Sequence, residues 1–298
     1  LTPACYIPME DESGATSLAS AIPGAPAGGF SGGVSLAANT DCAGSKPLPT
    51  LSQNSRIFGS IPYFTFEEAW FGQFTVKFDS KPAANRTLGY VTVPGAGSSV
   101  VRLQLILDVT GVAGSSGILC RAVDASGTTV AEANSSYSGI NTWPEDADFY
   151  NRYYSILFGI WATTGVANDY EIFVQMTGVD HTFFSIGQAN VTGAAARPTA
   201  YNFGHNSAET WSMGHLGFFA SVDSDPLGNQ QANQHAAAVT GYAGETAGSR
   251  LLRLGTEENT TVHVIGDPDD TQPCGAQNST QISDGSPPLR PRRTRFAR

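Results

Sequence analysis

The residues able to do chemistry are scattered along this chain. Five histidines, His181, His205, His215, His235 and His263, occur without an H-E-x-x-H spacing or a close second ligand. Paired zinc coordination on one helix face is therefore not encoded, and each histidine reads as a polar loop or core residue. Gly29-Phe30-Ser31-Gly32-Gly33 matches G-x-S-x-G, but a nucleophile elbow needs a buried strand before the serine and a helix after it. The surrounding proline and glycine supply neither, so the stretch reads as flexible arm. "SVDSDP" (221–226) and "GDPDD" (266–270) gather carboxylates of the kind that hold calcium. Both lack the spaced ligands and distal Glu of an EF-hand loop and read as structural turns. No glycine-rich phosphate loop ends in Lys-Ser/Thr. The sequence thus assigns no catalytic, cofactor-binding or metal-ligating residue, and the chain reads as a non-enzyme.

Cysteine usage and charge narrow the classes further. Cys5, Cys42, Cys120 and Cys274 lie far apart with no C-x-x-C pair. That disfavours both a zinc knuckle and a disulfide scaffold, leaving free thiols. Charged residues make up only 14 % of the 298-residue chain, and the formal net charge is −10. Five arginines nevertheless crowd the end, at Arg290, Arg292, Arg293, Arg295 and Arg298. The body is too acidic to bind nucleic acid nonspecifically. The basic end reads as a solvated tail with the charge to touch a polyanion. No apolar run reaches the length of a membrane-spanning helix. The start at Leu1-Thr2 shows no signal-peptide pattern, and reads as a product cut from a precursor or as a partial chain.

The elements that would position any site are strands. Residues 1–55 are punctuated by proline and glycine and read as an extended arm. "YFTFEEAWFG" (63–72) reads as a short helical turn. Phe74, Val76 and Phe78 then alternate with Thr75 and Lys77 at the period of a half-buried strand. Further strands read at 88–95, 98–111, 152–163 and 170–178, with a hairpin over 117–134 about its Ala-Ser-Gly turn. Residues 188–250 revert to glycine-, alanine- and asparagine-rich sequence with isolated aromatics, Trp211, Phe218 and Phe219. A last strand pair is expected within 250–266. Strands at these spacings without βαβ alternation predict an all-β antiparallel sandwich or barrel.

The order of these pieces resembles a picornavirus-like capsid protein of the marine, insect and protist type, over residues 56–187. The resemblance rests on Trp70, Gly72, Phe74 and Val76, then Pro94-Gly95, then Tyr153, Tyr154 and Ser155, and last Asp180, Phe183 and Gly187. It implies an eight-stranded antiparallel jelly roll at 56–187, an extended arm at 1–55, and a loop-rich extension with a basic tail at 188–298. It also implies a structural subunit of a non-enveloped icosahedral virion, assembled in the host cytoplasm with sister jelly-roll subunits. The Arg-rich tail would then be placed to contact the RNA genome. One departure concerns maturation. Some insect-virus relatives carry an Asp-Asp-Phe triplet linked to precursor cleavage, whereas this chain has Asp180 alone.

A different class fits other residues. Five N-x-[ST] sequons, at Asn85, Asn134, Asn190, Asn259 and Asn278, matter only in a secreted chain; chance in so Asn-, Ser- and Thr-rich a sequence also accounts for them. Trp143 and Trp211 have the flat faces that stack on sugars, and the Asp-rich turns could carry calcium. The alternative reading is therefore a secreted carbohydrate-binding β-sandwich, marked by glycans on Asn85 or Asn190.

Overall fold

The computed structural model describes residues 2–7, 9, 11, 14–36, 49–65, 69–94, 99–110, 116–135, 149–150, 153–162, 169–178, 187–193, 196–204, 210–221, 251–254 and 262–265. Sixteen strands follow in chain order. They are β1 (Thr2–Ile7), β2 (Gly29–Ser31), β3 (Thr50–Leu51), β4 (Arg56–Ser60), β5 (Ala69–Phe78), β6 (Arg86–Thr92), β7 (Val100–Asp108) and β8 (Gly117–Asp124). They continue with β9 (Thr129–Ser135), β10 (Tyr153–Ala162), β11 (Asp169–Gly178), β12 (Gly187–Thr192), β13 (Ala200–Phe203), β14 (Trp211–Ser221), β15 (Leu251–Leu254) and β16 (Val262–Ile265). Among the described residues no helix is long and apolar enough to cross a membrane.

All the pairings are antiparallel, and two seven-stranded sheets carry the fold. The first runs β1-β14-β5-β10-β11-β12, with β3 sharing the edge of β14 beside β1; the second runs β2-β4-β13-β6-β7-β8-β9. This is the expected all-β antiparallel sandwich, with more strands than the eight of the resemblance. The additional strands come from both flanks: β1 to β3 lie within residues 1–55, and β13 and β14 lie beyond 187. β15 and β16 pair with each other, as expected for 250–266.

Period-two alternation explains the packing. Along β5 the side chains of Trp70, Phe74, Val76 and Phe78 join the core between the sheets, as do Tyr154, Ile156, Phe158 and Ile160 of β10. The second sheet answers with Ile57, Val91, Leu103, Leu105, Ile118 and Phe203. Aromatic rings bridge the layers: Phe74 lies 5.0 Å from Phe203, and Tyr201 stacks on Phe218 at 5.8 Å. Gly72 is needed within this layer, because a Cβ there would sit 2.5 Å from Cζ of Phe158. Trp70, expected in a helical turn, is instead the second residue of β5, and its Nε1 donates to the Ala196 carbonyl at 2.8 Å.

The strand hidden in the glycine-rich region is β14. A bulge between Gly214 and Gly217 interrupts its register with β5, and His215 there adopts a left-handed φ of 52°. The extra residue switches the faces along the strand, so Trp211 and Met213 point inward before the bulge and Leu216 and Phe218 after it.

Candidate functional site

The two sheets differ in what their outer faces offer. On the second sheet, outward side chains line up across the strands in one row. The register places Phe58 of β4 beside Asn202 of β13, Asn202 beside Tyr90 of β6, and Tyr90 beside Gln104 of β7. Gln104 continues to Arg121 of β8, and Arg121 to Glu132 of β9. Strands lie about 4.8 Å apart, so the four steps from Phe58 to Arg121 span about 19 Å. A parallel row one pleat along holds Ser60, Ala200, Thr92 and Arg102.

The inward partners of these residues are core aliphatics, and that fixes the row outward. Ile57 and Gly59 flank Phe58, Val91 follows Tyr90, and Leu103 and Leu105 enclose Gln104. Phe58 is 42 % exposed. Its ring lies over β2, where a Cβ on Gly29 would come within 2.8 Å of Phe58 Cε2. Any side chain at position 29 would push that ring away. A cavity of about 620 Å³ opens over the β2–β4–β13–β6 end, lined by Gly29, Phe58, Ser60, Tyr90, Thr92 and Asn202 among others.

The polar groups in the row are unequally satisfied. Gln104 Nε2 donates to Thr87 Oγ1 at 3.2 Å, and Arg121 pairs with Glu132. The Arg102 guanidinium lies 4.8 Å over the Tyr90 ring. At the end of the β4–β13 pair, Arg197 lies 4.3 Å over the ring of Tyr63, which is 73 % exposed. Asn202 Oδ1 is out of contact with solvent and has no hydrogen-bond partner. A buried amide oxygen without a donor is costly. Asn202 is also among the residues lining the cavity.

The first sheet's outer face is also polar, but closed. Tyr6 Oη and His215 Nδ1 share a hydrogen bond of 3.1 Å, and Gln73 Nε2 donates to Ser155 Oγ at 3.1 Å. Next to them, Phe71 stacks on Phe219 at 4.9 Å and Trp161 on Phe173 at 4.8 Å. Tyr6, Gln73, Thr75, Ser155 and His215 are all at most 2 % exposed.

The residues singled out in the sequence fall in several places. Gly29–Ser31 forms β2 and Gly32 turns with φ 75°, so Ser31 sits on a strand pairing with β4. Trp211, expected to be an exposed sugar-stacking ring, is only 5 % exposed and packs 6.4 Å from Phe78 in the core; that assignment is corrected. Its inward position follows from its pairing opposite Phe78. Cys5 and Cys120 are buried free thiols, pushed up by desolvation to about 11 and about 12. Asn85 Oδ1 accepts from Val109 N at 2.9 Å, Asn134 is half-buried, and Asn190 is exposed on β12. Asp124, at the hairpin between β8 and β9, accepts from Ser126 and Thr128, and these bonds hold its carboxyl below the usual range. Among the described residues no group of three or more His, Cys, Asp or Glu could hold a metal ion. Trp143, Asp180, His181, Phe183, His205, His235, Cys42, Cys274, Asn259, Asn278, residues 222–226 and 266–270, and the arginines of 290–298 lie outside the described residues.

Sequence reasoning missed Phe58, Tyr90 and Asn202. The available signal was local: Phe58 is an aromatic next to Ile57 in a short strand, out of phase with the apolar face.

No family model matches the chain, and no curated protein matches it. Several solved structures resemble it. One is alginate lyase Aly36B, at 11 % identity and a TM-score of 0.38, covering 74 % of this chain and 98 % of that one. Another is the VIP36 exoplasmic/lumenal domain in its Ca2+/Man2-bound form, at 13 % identity and a TM-score of 0.38, covering 68 % and 85 %. A third is the marine PL-14 alginate lyase from Aplysia kurodai, at 9 % identity and a TM-score of 0.35, covering 66 % and 83 %. Alginate lyases therefore stand among the structures similar to this chain. The expectation that the chain is not an enzyme is corrected on that finding and is not retained.

Proposed function

We propose that this chain is a carbohydrate-binding β-sandwich that takes an oligosaccharide along the outer row of its second sheet. The observation that carries this reading is the alternation Phe58, Asn202, Tyr90, Gln104 across adjacent strands, open to solvent and ending in Arg121. Sugars present flat C–H faces and rings of hydroxyls. Aromatic faces cover the first, while amides both donate and accept toward the second. Placing these groups on strands rather than loops keeps them pre-organised, which lowers the entropic cost of binding.

The test is a glycan array followed by affinity electrophoresis with the wild-type chain and Phe58→Ala. Retention of a glycan class by the wild type, weakened on the order of tenfold in the variant, is the expected result. Equal retention by both proteins would remove this row from the reading.

A second reading, a jelly-roll subunit of a multi-subunit shell, is favoured by Tyr63 and Phe58, large apolar side chains exposed at one end of the second sheet. Such groups are covered when neighbours pack against them. Sedimentation of the chain co-expressed with sister subunits tests it: large particles support it, and a small monomer alone counts against it.

A further inference from the structure

We infer that the saccharide taken by this face is acidic, with carboxylate or sulfate groups held by Arg102 and Arg197. The inference rests on the carbohydrate-binding reading and adds the ligand's charge. It starts from an imbalance. The chain carries 26 Asp and Glu against 16 Lys and Arg, so an arginine on it would ordinarily find a carboxylate. Arg121 does, pairing with Glu132 at the far end of the row. Among the described residues, Arg102 and Arg197 do not. Each guanidinium instead lies over a tyrosine ring, Tyr90 for Arg102 and Tyr63 for Arg197. The remaining described carboxylates near this face are engaged elsewhere. Asp124 is held by Ser126 and Thr128 at its hairpin, and Asp108 accepts from Thr110.

A guanidinium held over an aromatic face keeps N–H groups for a second partner. It can take a carboxylate or sulfate in bidentate fashion. The position is also apt. Arg102 closes the row Ser60, Ala200, Thr92 that borders the cavity, and Arg197 stands three residues before Ala200, on the chain that enters β13 two strands from β7. Two cations separated in this way would meet two separate charges on one extended chain. A neutral glycan needs neither group. In an acidic protein, two cations without carboxylate partners among the described residues, beside an aromatic–amide row, are explained by an anionic ligand.

Calorimetric titration of the full chain with three oligosaccharides of equal length tests this: a neutral oligoglucoside, an oligouronate and a sulfated oligosaccharide. The expected result is about tenfold or more tighter binding of at least one acidic ligand, with the preference shrinking as ionic strength rises. Arg102→Gln and Arg197→Gln should each remove most of that preference. Arg102→Lys should restore it only in part, because an ammonium keeps the charge but not the fork. Preference for the oligouronate alone assigns a carboxylate, and preference for the sulfated ligand alone assigns a sulfate. Equal or tighter binding of the neutral ligand, with Phe58→Ala still weakening it, would overturn the acidic assignment while the carbohydrate reading stands. Absence of binding to any of the three, in wild type and variants alike, would overturn both.

Discussion

The two sheets share a length, an antiparallel pattern and a core, yet they treat their outer faces oppositely. β5, β10 and β11 of the first sheet are buried almost along their whole length on both sides, an arrangement less usual for an antiparallel sheet than one wet face. The second sheet keeps the usual division, with Val91, Leu103 and Phe203 inward and Phe58, Tyr90 and Gln104 toward solvent. Comparable polar and aromatic residues therefore have different consequences. Gln73 and Ser155 satisfy each other in a closed layer, whereas Phe58 and Glu132 stand exposed on an open one. The first sheet is scaffold, and the second presents side chains.

The largest expected difference between the sheets is in stability. Phe158→Ala, in the inter-sheet layer beside Trp70, Phe74 and Phe218, should cost about 3–5 kcal/mol in denaturant unfolding. Phe58→Ala should stay within about 1 kcal/mol. Comparable losses for both would erase the distinction drawn here.

The next effect is a pH dependence carried by the cores. Cys120 lies inward on the second sheet and Cys5 inward on the first, each with its thiol raised from 9.0 by burial. Their unfolded thiols ionise near pH 9, while the folded ones hold their protons to about 11 and 12. Above pH 9 the unfolded chain thus binds fewer protons than the native one, and stability falls as pH rises. The slope reaches up to about 1.4 kcal/mol per pH unit for each thiol. Cys120→Ala should flatten that slope between pH 9 and 11, and an unchanged slope would contradict the assignment.

Smaller still is Thr75→Val. Thr75 Oγ1 is buried on the closed face without a partner, so removing the hydroxyl at nearly constant volume should raise stability by about 1 kcal/mol. A loss of that size would show that the hydroxyl is satisfied. The smallest effect belongs to the open face. Glu132→Gln breaks the exposed pair with Arg121 and should change stability by no more than about 1 kcal/mol, less at high salt.

How far the sequence carried depended on whether alternation was continuous. In β5, Phe74, Val76 and Phe78 kept a strict period, and the strand and its inward face could be read directly. β7 and the β8–β9 hairpin were equally plain. β14 was not, because the bulge at His215 moves Leu216 and Phe218 out of phase with Trp211 and Met213, leaving what looks like isolated aromatics. β1 to β4 are short, and β1 and β3 join the sheet by pairing with residues more than 150 positions away in β14. The candidate site was illegible for a related reason. Phe58, Asn202, Tyr90 and Gln104 come from four separate strands and become neighbours only through register. Trp211, the more conspicuous aromatic, drew the sugar-stacking expectation and proved to be core.

The claim that the second sheet's outer face is the binding face is tested most directly by amide and side-chain chemical-shift mapping during titration with an oligosaccharide retained on the array. The account predicts saturable shifts at Phe58, Tyr90, Gln104 and the Asn202 side-chain amide, with β5 and β10 unmoved. Shifts that leave those four residues still and gather on Tyr6, Gln73 and His215 would contradict it.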